Sequence, residues 1–91
     1  MTKKEILDTL KHVKDDEEIP EGARITIYNN LRAIYTKQDA VQLLKDEYGN
    51  VQERRINDIA DVVAERFVDG NYDCNLSYWD NLRNLINEYL L

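Results

Sequence analysis

Between Glu53 and Gly70 the chain places Ile56, Ile59, Ala60, Val63 and Phe67 three and four residues apart, which puts them on one side of an α-helix. This is the cleanest amphipathic stripe in the sequence and it constrains the fold most, because a helix with one apolar face must bury it against another element. Only Arg24-Ile25-Thr26-Ile27-Tyr28 alternates like a strand, and no second strand candidate exists to pair with it. A lone strand leaves its backbone groups unpaired. Ile27, Leu31, Ile34 and Tyr35 continue the same segment at helical spacing, so residues 23–35 are expected to be helix, with Pro20 suited to a helix's first position.

The remaining helices announce themselves by their caps. Thr2 with Glu5 is a capping-box pair, followed by Ile6, Leu7, Leu10 and Val13, and the first helix should end near Lys14. Asp15-Asp16-Glu17-Glu18 would oppose the macrodipole at a helix C-terminus, so residues 15–19 read as an exposed connection. Thr36 with Asp39 suggests a new helix burying Ala40, Val41, Leu43, Leu44 and Tyr48 and stopped by Gly49. Asn50 with Glu53 reads as the cap of the Ile56–Phe67 helix, which Gly70 closes. Ser77 with Asp80 opens a last helix whose apolar face is Trp79, Leu82, Leu85, Ile86, Tyr89 and Leu90. The expected fold is all-α: a single small domain over residues 1–91, a bundle of about five short helices. Its core would hold Ile6, Leu10, Leu31, Leu44, Ile59, Val63, Phe67, Leu82 and Ile86.

With 91 residues there is room for one small core, and the single cysteine cannot form an internal disulfide. Residues 1–10 alternate charged and apolar side chains, unlike a signal peptide, and no apolar run is long enough to span a membrane; a soluble, cytoplasmic protein is expected. The net charge is −6, and residues 36–91 carry eleven acids against six bases. Such a surface is repelled by phosphate backbones and drawn to basic partners, so direct nucleic-acid binding is disfavoured.

Enzyme chemistry is poorly represented. His12 and Cys74 are the only residues of their kinds, lie on different elements and have no partner at a recognisable motif spacing. No glycine-rich phosphate loop, dinucleotide fingerprint or zinc-ligand cluster is present, so neither an enzyme nor a cofactor is expected.

Residues 69–80 hold the one local constellation. On a twelve-residue calcium loop Asp69, Asn71 and Asp73 take positions 1, 3 and 5, Asn75 and Ser77 positions 7 and 9, and Asp80 position 12. Cys74, however, occupies the position where the sharp turn calls for glycine, and Asp80 replaces a longer bidentate Glu. Polar turn formers account for the alternation equally well. The weight therefore moves to a contact surface in which Tyr72 and Tyr78 flank the loop, since tyrosines dominate interface hot spots.

A second acidic feature adjoins it. Asp58, Asp61, Glu65 and Asp69 fall within roughly 80° of one another on the helical wheel, opposite the apolar stripe. Four carboxylates along ~16 Å of helix are far sparser than the charges of duplex DNA, so the stripe alone is a poor DNA mimic. Thr36–Phe67 also admits a helix-turn-helix reading with Arg54 and Arg55 at the start of the recognition helix, although Glu53, Asp58, Asp61 and Glu65 crowd that helix.

In size, acidity and lack of enzyme motifs the chain is similar to small phage and mobile-element accessory proteins, including anti-CRISPR and anti-restriction inhibitors. The likeness is compositional and implies a target among nucleic-acid-handling enzymes whose basic groove the protein would block. The expectation is thus a non-enzymatic interaction module presenting Asp58, Asp61, Glu65, Asp69, Tyr72, Asp73 and Tyr78 to a basic protein partner. A helix-turn-helix regulator and a degenerate calcium-binding protein are the alternatives, and the oligomeric state is left open.

Overall fold

The structure, a computed structural model, describes residues 2–91. Its elements are four α-helices: α1 (Lys3–Asp15), α2 (Glu21–Glu47), α3 (Glu53–Val68) and α4 (Tyr78–Leu90). No strand occurs among the described residues, so the ambiguous segment 24–28 is helical.

The helix count is lower than expected because residues 23–35 and the helix foreseen from Thr36 are one continuous helix. Thr36 does not cap anything; its side chain is fully buried in mid-helix. Nothing between Gly22 and Tyr48 breaks a helix, and at ~1.5 Å per residue the 27 residues of α2 extend roughly 40 Å. That nearly fills the molecule's longest dimension of 47 Å.

The other helices are arranged around this spine. Lys3 of α1 reaches Asp39 while Arg24 reaches the backbone of Asp16 and Ile19, so α1 runs antiparallel to the first part of α2. Lys37 pairs with Asp61, and Leu44 faces Ile56 across the turn, so α3 is antiparallel to α2 as well. Tyr78 bonds Asp39, Arg83 bonds Glu47 and Tyr48 bonds Asn87; α4 therefore follows the second part of α2 in the same direction.

The main core lies where three helices meet. It joins Ala40, Leu43 and Leu44 of α2 to Ile56, Ile59, Ala60, Val63 and Phe67 of α3 and to Leu82, Leu85 and Ile86 of α4. Ile6, Leu10 and Val13 of α1 are buried apart from this cluster, against the first part of α2. Leu31, expected in the core, is only half-buried, while Trp79, Tyr89 and Leu90 are exposed at the edge of α4 rather than inside it.

The caps divide in the same way. Thr2 accepts from the Glu5 amide and Ser77 from the Asp80 amide, both as expected. The cap of α3 is Gln52 rather than Asn50, and it makes no side-chain bond to the helix. Gly70, with φ of 96°, is the left-handed residue that ends α3; Gly49 does not take that conformation.

The Thr36 hydroxyl is buried without a hydrogen-bond partner. Thr36→Val removes that unsatisfied group and keeps the shape, so it should leave stability unchanged or raise it by up to ~1 kcal/mol. A capping threonine would instead lose about 1 kcal/mol. Urea unfolding of the variant distinguishes the two.

Candidate functional site

The antiparallel pairing of α2 and α3 leaves an open groove of about 430 Å³ between them. Ala33, Ile34, Ala64 and Val68 give it an apolar floor, Asn29 and Asn30 one polar rim, and Asp61, Glu65 and Asp69 an acidic wall. The small side chains Ala33 and Ala64 allow a cleft to remain where larger ones would fill it. Three residues of the acidic stripe are thus brought together beside exposed apolar surface, Ile34 being 43% exposed.

Charge in the groove is unbalanced. Lys37 lies 2.8 Å from Asp61 and neutralises it in part. No ion pair reaches Glu65 or Asp69 among the described residues. Both carboxylates are at the C-terminal end of α3, where the helix's own carbonyls add negative potential. This combination attracts a positively charged segment that also carries an apolar side chain.

The other acidic residues do not join this wall. Asp58 is exposed on α3 but is not among the groove residues. Asp73 borders a separate depression with Asn71, Tyr72, Asn81, Asn84 and Glu88. The run Asp15–Glu18 is anchored by Arg24, which points about 140° around α2 from Asn29 and so faces away from the groove.

The loop between Gly70 and Ser77 is organised by a residue that the sequence did not single out. Asn81 is buried, accepts from the Asp73 amide at 2.8 Å and donates to the carbonyls of Asp73 at 2.9 Å and Ser77 at 3.1 Å. Its carboxamide therefore ties the loop to the first turn of α4. The Asp73 carboxylate is itself engaged by the Asn75 amide, an Asx turn. Among the described residues no three His, Cys, Asp or Glu side chains converge as a metal site would require. An i+4 side chain that reaches back over a loop has no distinctive sequence signal, so Asn81 was legible only as a polar residue of α4.

Tyr72 and Tyr78, paired in the sequence as contact residues, behave differently. Tyr72 is 46% exposed and stacks its ring on Phe67 at 5.0 Å. Tyr78 turns inward, packs edge-on against Phe67 at 5.4 Å, and donates its hydroxyl to Asp39 at 2.6 Å. Tyr72 is therefore the more exposed of the two, while Tyr78 is half-buried with its hydroxyl engaged by Asp39. Burial first, and then the Asp39 carboxylate, push its hydroxyl well above the ordinary tyrosine range, while the Thr36 hydroxyl approaches without reaching hydrogen-bond geometry.

Arg54 and Arg55 are both exposed at the start of α3, and Arg54 bonds Gln52. Yet α3 lies alongside α2 over its whole length, a hairpin and not the roughly 90–120° crossing of a helix-turn-helix. His12 and Cys74 are exposed on separate elements. No protein-family model matches this chain, and no curated protein and no solved structure matches it either.

Two outcomes follow. Asn81→Ala leaves buried loop groups unpaired and should cost about 1–3 kcal/mol, with faster hydrogen exchange at the Asp73 amide. For Tyr78, the folded pKa lies above the unfolded value of about 10, so its stabilising contribution is complete below pH ~10 and declines as the pH rises further. Thermal melts from pH 8 to 11 should show this decline, and Tyr78→Phe should flatten it.

Proposed function

We propose that this protein is a non-enzymatic interaction module that takes a basic segment of a partner protein into the groove between α2 and α3. The observation that carries it is the placement of Glu65 and Asp69, unpaired, beside the apolar floor of Ala33, Ile34, Ala64 and Val68. A helix or strand presenting lysine or arginine next to an aliphatic side chain meets both halves of that surface. A phosphate backbone meets like charge, which argues against nucleic acid as the occupant.

The partner's basic surface is itself suited to nucleic acid, so occupying it would inhibit a nucleic-acid-handling enzyme. That reading agrees with the compositional likeness to mobile-element inhibitors. Charge steering would dominate the association rate, and the apolar floor would slow release.

Calorimetric titration of a synthetic fifteen-residue lysine–leucine amphipathic peptide tests the groove. Binding should weaken at least ~10-fold between 50 and 300 mM salt, as expected when screening shortens the reach of exposed charges. Glu65→Lys with Asp69→Lys should weaken it by a similar factor, whereas reversal of the distant Glu17 and Glu18 should matter little. Salt-independent binding, or a charge-reversed groove that binds as well as the original, would overturn the proposal.

A further inference from the structure

On the side of α2 turned away from the groove, three aromatic rings and one carboxylate surround a single ammonium group. Lys3 Nζ lies 5.5 Å from the ring centre of Tyr35, 5.1 Å from that of Tyr78 and 5.5 Å from that of Trp79. Its fourth neighbour is Asp39 Oδ2 at 2.7 Å. All three distances fall within the ~6 Å over which a cation is held by a ring's quadrupole. Asp39 is nearly enclosed, with its side chain 13% exposed, while the Lys3 side chain remains 39% exposed.

The walls of this enclosure come from other helices than the lysine that fills it. Tyr35 and Asp39 belong to α2, Tyr78 and Trp79 to α4, and only the occupant comes from α1. Tyr78 is fixed by its bond to Asp39, by its edge contact with Phe67 and by a T-shaped contact with Trp79 at 5.4 Å. Lys3 is the first residue of α1, and the burial that docks this helix is supplied further along by Ile6, Leu10 and Val13. A rotation about the lysine's own side-chain bonds would therefore vacate the enclosure and leave α1 in place.

We propose that Tyr35, Tyr78, Trp79 and Asp39 form a binding site for the ammonium group of a lysine side chain on a partner protein, with Lys3 as the internal occupant it displaces. Asp39 refines the ligand class. A carboxylate in contact with the cation needs an N–H to accept from, so an unmethylated, monomethyl or dimethyl ammonium completes the site. A trimethylated one offers no donor to Asp39. The site is separate from the α2–α3 groove: Lys37, on the groove, and Asp39, here, point about 160° apart around α2. The two can therefore fail independently.

The test is calorimetric titration with n-butylammonium, which reproduces the end of a lysine side chain, and with tetramethylammonium, which has no N–H. Lys3→Ala empties the site, and Lys3→Gln is made alongside because it keeps a polar side chain of intermediate length while removing the charge. Either variant should bind n-butylammonium saturably at one site per chain, with tetramethylammonium binding several-fold more weakly. The native protein should bind at least ~10-fold more weakly than the variants, because a tethered competitor acts at millimolar or higher effective concentration. Adding Trp79→Ala, a change at an exposed rim residue, should weaken binding by a similar factor. Absence of saturable binding in the folded Lys3 variants, equal binding by the native chain, or indifference to Trp79→Ala would overturn the site. Equal affinity for tetramethylammonium would overturn the role given to Asp39.

Discussion

Everything in this molecule is hung on the continuity of α2. A helix of 13 residues such as α1 or α4 is marginal in water by itself, and its formation relies on a surface to pack against. α2 supplies that surface twice over. Its second part forms the main core with α3 and α4, and its first part receives Ile6, Leu10 and Val13 of α1, each burial contributing about 1.5–3 kcal/mol. A break near Thr36 would separate these two packing units, so the unbroken helix is what makes the arrangement cooperative.

The same helix positions the surfaces that matter for recognition. The acidic groove and the aromatic enclosure around Lys3 lie on nearly opposite sides of it, at Ala33–Lys37 and at Tyr35–Asp39. Both combine negative charge with apolar surface, but in different proportions. In the groove the carboxylates are exposed and screened by salt, which suits steering and an extended basic partner. Around Lys3 a single nearly enclosed carboxylate is backed by π-faces, which suits one ammonium group held at short range. Phe67 joins the enclosure to the 71–77 loop, touching Tyr78 on one side and Tyr72 on the other.

Local signals and structure agree where one side of a helix faces one neighbour. The stripe from Ile56 to Phe67 is buried at every expected position, and the caps at Thr2 and Ser77 hold their predicted amides. In α2 signal and structure diverge for a definable reason. Ile27, Leu31 and Tyr35 share the side of α2 on which Tyr35 meets Lys3 of α1, whereas Ala40, Leu43 and Leu44 lie about 175° away on the side that meets α3 and α4. A change of apolar phase within one helix looks like the junction of two. Of the candidate contact residues, Asp61, Glu65 and Asp69 share one groove, Asp58, Tyr72 and Asp73 lie outside it, and Tyr78 is turned inward by the pull of Asp39 and Phe67.

Periodicity, caps and composition by themselves determined that the chain is helical, where α1 and α4 begin, and that one face of α3 is acidic. These are properties of neighbouring residues, and short-range geometry is enough to set them. Tertiary structure alone decided that α2 is one helix, that Asn81 fastens the 71–77 loop to α4, and that Lys3 ends among rings 32 to 76 positions away. Each of those depends on which helix faces come into contact, and that is settled by packing between segments whose local patterns carry no record of one another.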